Sequence, residues 1–225
     1  MARQRLISQV LPLSLPPMRR SALLAVVLVL ASGPAAAQAG RYTVSGTNPG
    51  GSGGYRGTLT VSTQGEAYRV VWETGGAPVE GVGVVVDDVL AAAYGGACGI
   101  VAYAPVDGGY EAVWATMGGR ALGTERAEEA GPEGAYRVAG TNPGGEGVYT
   151  GTLVMAADGN ATAVRWDVGG SVYTGIGLAV DGVLGVAYGA ETCSVAVYRM
   201  ADRTLDGVWT SPGASDIGTE TATAD

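Results

Sequence analysis

Two stretches of this chain are near copies of one another: Arg41-Tyr-Thr-Val-Ser-Gly-Thr-Asn-Pro-Gly-Gly51 returns as Ala135-Tyr-Arg-Val-Ala-Gly-Thr-Asn-Pro-Gly-Gly145, and the correspondence runs on almost to the C-terminus. The offset is 94 residues from Tyr42/Tyr136 through Trp72/Trp166 and Tyr94/Tyr188. It becomes 95 from Cys98/Cys193 through Trp114/Trp209 to Glu125/Glu220, so one residue is inserted in the loop before the second cysteine. Self-similarity at a fixed period defines the folding unit before any propensity argument is made. Each copy, at about 90 residues, is long enough for a small core of its own. The expected organisation is therefore a leader over residues 1–39, a first domain over 40–130 and a second over 131–225, with Arg126 to Gly134 as the acidic connector.

The leader is read from Arg19-Arg20, the apolar run Ala22 to Ala31 and the small-residue end Ala37-Gln38-Ala39, which together have the form of a secretory signal cleaved before Gly40. Ten apolar residues are too few for a bilayer core, which needs about 20 in a helix. The expectation is a periplasmic or secreted protein with no transmembrane span. From residue 40 onward the chain keeps all 21 acidic residues and nine basic ones, every one an arginine, for a formal charge of 9 − 21 = −12. Such a balance argues against a nucleic-acid partner.

Period-2 patterning dominates each copy. Tyr55, Gly57, Leu59 and Val61 alternate with Arg56, Thr58, Thr60 and Ser62, and Tyr68, Val70 and Trp72 alternate with Arg69, Val71 and Glu73. One face of each segment is apolar and the other polar, as in half-buried strands. Turn signals such as Gln64-Gly65, Asp107-Gly108 and Asp181-Gly182 recur every eight to 12 residues. About eight short strands per copy result, and no helical period follows residue 40. A meander of eight strands leaves two edges unpaired unless it closes on itself. The expected fold is all-β: two tandem up-and-down meander β-barrels of about eight short strands each, with a two-sheet sandwich as the alternative.

No constellation for catalysis stands out. The chain has no histidine, which removes histidine-dependent triads and most zinc sites, and it carries no phosphate loop, calcium loop or other cofactor motif. Thr47-Asn48-Pro49 and Thr141-Asn142-Pro143, each followed by Gly-Gly, signal a turn first and a binding loop at a barrel mouth second. Trp72, Tyr94, Trp114, Trp166, Tyr188 and Trp209, with Tyr103 and Tyr198, form a repeated aromatic set that either fills the barrels or lines a small cavity. An eight-stranded barrel has room for side chains or one small ligand, and filling is the expectation here. Cys98 and Cys193 are expected as free buried thiols, because equivalent positions in two independent barrels are usually far apart. A bond between them is the alternative. Glu125 and Glu220, in Gly-Thr-Glu words that close each copy, are expected on the solvent face. Asn160-Ala-Thr162 matches a glycosylation sequon by chance.

The combined words Gly-Thr-Asn-Pro-Gly-Gly, Gly57-Thr-Leu59, Val-Val-Trp72, Gly-Val-Gly83, Ala-Tyr-Gly95, Cys-Gly-Ile-Val-Ala-Tyr103, Val-Trp114 and Gly-Thr-Glu125 cover nearly all of the chain after the leader. In them the modules resemble a group of short exported proteobacterial proteins labelled fibronectin-binding-like or uncharacterised. The resemblance implies an exported, non-enzymatic binding protein that contacts a macromolecule of the host matrix or the envelope, and it carries over no binding residue. A small-ligand barrel of the avidin or lipocalin type, or an inhibitor of an envelope or host enzyme, are the alternatives.

Overall fold

The computed structural model describes residues 39–225, so the expected leader lies outside the described residues except for Ala39. Sixteen strands follow: β1 (Gly40–Thr47), β2 (Gly54–Gln64), β3 (Ala67–Glu73), β4 (Val79–Val86), β5 (Val89–Tyr94), β6 (Cys98–Val106), β7 (Gly109–Thr116), β8 (Gly123–Glu129), β9 (Ala135–Thr141), β10 (Val148–Asp158), β11 (Ala161–Val168), β12 (Ser171–Val180), β13 (Val183–Gly189), β14 (Ser194–Ala201), β15 (Thr204–Thr210) and β16 (Gly218–Ala224). They form two closed antiparallel barrels of eight strands, as the alternation and turn spacing predict. Closure leaves neither sheet with an unpaired edge.

The barrels do not coincide with the repeats. Strands β6 to β13 make one continuous meander, closed where β13 pairs with β6 from Leu184↔Tyr103 to Gly189↔Cys98. We call this the inner barrel. The outer barrel takes β1–β5 from the first copy and β14–β16 from the second, closing through β5–β14 and β1–β16. The expected boundary between residues 130 and 131 accordingly falls inside the inner barrel. Arg126 to Glu129 belong to β8, and Ala130–Gly134 is the hairpin turn that brings β8 back as β9, with Glu129 opposite Tyr136. The links between barrels are two short crossovers, Gly95–Ala97 and Ala190–Cys193. The physical reason is the direction taken at Gly95-Gly96, where the chain, at φ 114° and 140°, passes into the neighbouring barrel instead of turning back along β5.

Three apolar clusters hold this arrangement. Tyr42, Leu59, Val70, Trp72, Leu90 and Tyr198 fill the outer barrel, and Tyr103, Val138, Leu153, Val164, Trp166 and Val186 fill the inner one. The third lies between the barrels, where outward faces of β4, β5 and β14 (Val82, Val84, Ala91, Ala93, Val195, Val197) meet those of β6, β12 and β13 (Ile100, Ala102, Leu178, Ala187). Apolar residues on both faces explain the runs Val82-Gly-Val-Val-Val86 and Leu90-Ala-Ala-Ala-Tyr94, which do not alternate as half-buried strands do. Around this seam Gln64 Nε2 donates to the Gly119 carbonyl (3.0 Å), and Arg199 pairs with Asp181 (2.6 Å). Asn160, in the sequon, donates to Asp216 (2.9 Å).

The cysteines are not free. Cys98 and Cys193 form a disulfide with Cα atoms 5.6 Å apart. The expectation of distant thiols assumed that each copy closes on itself. Once the strands are shared, the two crossovers run side by side, and the Thr192 hydroxyl donates to the Gly95 carbonyl (2.8 Å). Equivalent residues then meet at the pseudo-twofold centre of the molecule.

Candidate functional site: an aromatic cup in the inner barrel

In β8 the inward positions are Gly123, Glu125 and Ala127, and the outward ones are Thr124 and Arg126. Glu125 is therefore inside the barrel, 6% exposed, and not on the solvent face as expected. Its carboxylate accepts from the hydroxyls of Tyr103 and Tyr149 (3.0 Å for Tyr149) and from Trp166 Nε1 (3.3 Å). The Trp166 indole N–H also donates to the Tyr103 hydroxyl (2.8 Å). The outer barrel repeats the cluster, with Glu220 accepting from Tyr198 (2.6 Å), Tyr55 (2.6 Å) and Trp72 (3.1 Å). Glu125 and Tyr103 come from the first copy and Tyr149 and Trp166 from the second, so each cluster is assembled from both.

Burial dominates the electrostatics. It raises the Glu125 pKa above the ordinary carboxylate value, and the three donors only partly offset it. The hydroxyls of Tyr103 and Tyr149 are pushed far up, first by burial and then by the neighbouring carboxylate, so they stay protonated as donors. A raised carboxylate pKa favours the protonated fold. The contribution of Glu125 is thus fully present below its ordinary value of 4.5 and is lost as pH rises through the higher folded-state value. In Glu125→Gln that loss is absent. Chemical denaturation from pH 4 to 8 is expected to show the variant gaining on the native chain across this window, by about 1.4 kcal/mol for each pH unit separating folded and unfolded values. A constant difference would contradict control by burial.

Above Glu125 the inner barrel opens into a cavity of about 490 Å³. Its wall is drawn from nearly every strand: Tyr103 on β6, Trp114 on β7, Tyr149 on β10, Trp166 on β11, Tyr173 on β12 and Tyr188 on β13, with Asn142 just past β9. Trp114 and Tyr149 meet edge to face (centroids 6.4 Å), as do Tyr173 and Tyr188 (6.4 Å), a favoured aromatic geometry. Two in-strand glycines make this possible. The Trp114 indole packs against Gly123 and the phenol end of Tyr149 against Gly140, leaving no room for a Cβ at either position. The rim carries Val148, 83% exposed, and the exposed Tyr173.

Of the residues singled out in the sequence, Tyr103, Trp114, Trp166, Tyr188 and Asn142 converge on this cup. Trp72, Tyr94 and Trp209 pack in the outer barrel, with Trp72 and Tyr94 rings 5.1 Å apart. Pro49 and Pro143 each open a 3-10 turn at a β-strand end, and Gly50 and Gly144 supply its positive φ (70° and 76°). Thr47 and Thr141 hydroxyls bond to Thr219 and Thr124 across the adjoining strands (2.8 Å each). Asn48 holds the matching loop closed through its backbone N–H to the Gly53 carbonyl (2.9 Å). Sequence reasoning passed over Tyr149 and Tyr173 and misplaced Glu125. The alternation of small Gly123 and Ala127 around Glu125 was the available signal.

The copies have diverged at the mouth. The positions equivalent to Val148, Ser171 and Tyr173 are Gly54, Ala77 and Val79, and Tyr94, equivalent to Tyr188, has its hydroxyl against Ser194 and Ser211. A second depression, about 760 Å³, is open on the outer surface beside the Val86–Asp87 turn; it shares Glu125 and Tyr149 with the cup, and its Glu111 and Arg126 pair with each other (2.9 Å). The cup is the better candidate, because Tyr103, Trp114, Trp166, Tyr173 and Tyr188 converge on it and none of them lines the outer depression. No protein-family model, curated protein or solved structure gives a significant match to this chain.

Proposed function

We propose that this is an exported, non-enzymatic binding protein whose inner barrel takes one small ligand in the aromatic cup. The observation that carries the reading is the convergence of aromatic walls on a buried polar floor of Glu125, Tyr103 and Trp166. Few polar groups at the base of a mainly apolar concavity is the usual form of a small-molecule site. Among the described residues no helix is long and apolar enough to cross a membrane, and that statement does not extend to strands. A second reading, contact with a host-matrix or envelope macromolecule, draws support from the exposed apolar rim residues Val148 and Tyr173.

Native mass spectrometry of the chain purified from its own source tests the first reading. One small molecule per chain is expected, and Ser171→Trp, which places a large ring in the cup mouth, is expected to release it. A chain free of small molecules that instead retains a protein, lost in Val148→Asp, would replace this reading with the second.

A further inference from the structure

We propose that the cup selects a compact organic cation, a quaternary or tertiary ammonium group small enough to stand on Glu125 between the rings. This rests on the small-ligand reading above and names its ligand class. Glu125 is a buried carboxylate whose partners, Tyr103, Tyr149 and Trp166, are neutral donors. Among the described residues no ion pair reaches it, and the arginines on its barrel, such as Arg126, Arg137 and Arg165, sit on exposed outward positions. The usual remedy for a buried charge is a partner of opposite sign, and none of the described residues supplies one.

The geometry points the same way. The carboxylate already accepts hydrogen bonds at both oxygens, so a further donor gains little there, whereas a positive charge above it gains the full Coulomb attraction at low dielectric. The walls are aromatic faces and edges, and a methylated cation is attracted to those faces while its methyl groups bury against them. An anion would face Glu125 unscreened. A neutral ligand would use the walls and leave the charge uncompensated.

The test is calorimetric titration of the full chain with tetramethylammonium, with choline, and with the neutral alcohol in which carbon replaces the nitrogen of choline. Choline is expected to bind at least about tenfold more tightly than its neutral twin, a ratio worth about 1.4 kcal/mol. Glu125→Gln should erase that ratio, whereas Glu111→Gln on the outer face should leave it intact. Should the fold of Glu125→Gln fail, the choline-to-alcohol ratio in the native chain decides alone. Equal affinity for the two overturns the choice of a cation but leaves a small-ligand cup in place. Binding of small molecules retained from the source, with neither ammonium probe bound, likewise overturns it. Failure of every small molecule to bind removes the underlying reading as well.

Discussion

Residues 98–189, produced without the rest of the chain, are expected to fold as a single closed barrel, and residues 40–130 are not. The first fragment holds β6 to β13 with every strand neighbour present, including the closing β13–β6 pair, and it contains the whole cup from Tyr103 to Tyr188. The second is one complete repeat, but its β5 finds its partner in β14 and its β1 in β16, both outside it. It is therefore expected to pair with a second copy of itself, reproducing both barrels and joining Cys98 to Cys98, since in the native chain the partners of β5 and β1 lie beyond residue 130. Size-exclusion chromatography with light scattering, and gels with and without reductant, read the outcome. A folded monomer of residues 40–130, with its cross-link absent, would show that the exchange depends only on the covalent joining of the copies.

The second large effect concerns the neck between the barrels. Replacing both cysteines, Cys98→Ala with Cys193→Ala, is expected to lower stability by about 2–4 kcal/mol, because the bond closes a long loop and constrains the unfolded chain. The sequence separation is 95 residues, which encloses the entire inner barrel. For a protein of this size the loss corresponds to roughly 5–15 °C in melting temperature. Urea titration of native and variant chains measures it directly. An unchanged midpoint would mean that the seam of Ile100, Ala102, Val195 and Val197 already holds the crossovers together in the unfolded ensemble.

Much of the fold was legible because strands obey a period that residue types display. Leu59, Val61, Val70 and Trp72 are buried where alternation places them, and the turn words fall between strands throughout. The exchange was not legible, for a simple reason. β5 meets β14 in nearly the register with which β13 meets β6, Tyr94 facing Ser194 and Tyr188 facing Gly99, so sharing strands and closing each copy alone satisfy equivalent pairs. Only the path through the two short crossovers, Gly95–Ala97 and Ala190–Cys193, differs. The disulfide followed from that path and was hidden with it. The buried glutamates were hidden differently: a charge in a closing strand reads as a solvent group until one tyrosine and the tryptophan that hold it, Tyr149 and Trp166 for Glu125, are brought in from the other copy.

The split of the outer barrel also sets an order of events during synthesis. The inner barrel has all its strands once residue 189 has emerged, whereas β1 to β5, made first, wait for β14 to β16, made last. Throughout that interval the earliest part of the polypeptide carries two open sheet edges, at β1 and β5, with nothing yet made to cover them. Such edges are the hazard that chaperones guard against in slowly completed sheets. The oldest strands of the nascent chain are thus the last to be finished.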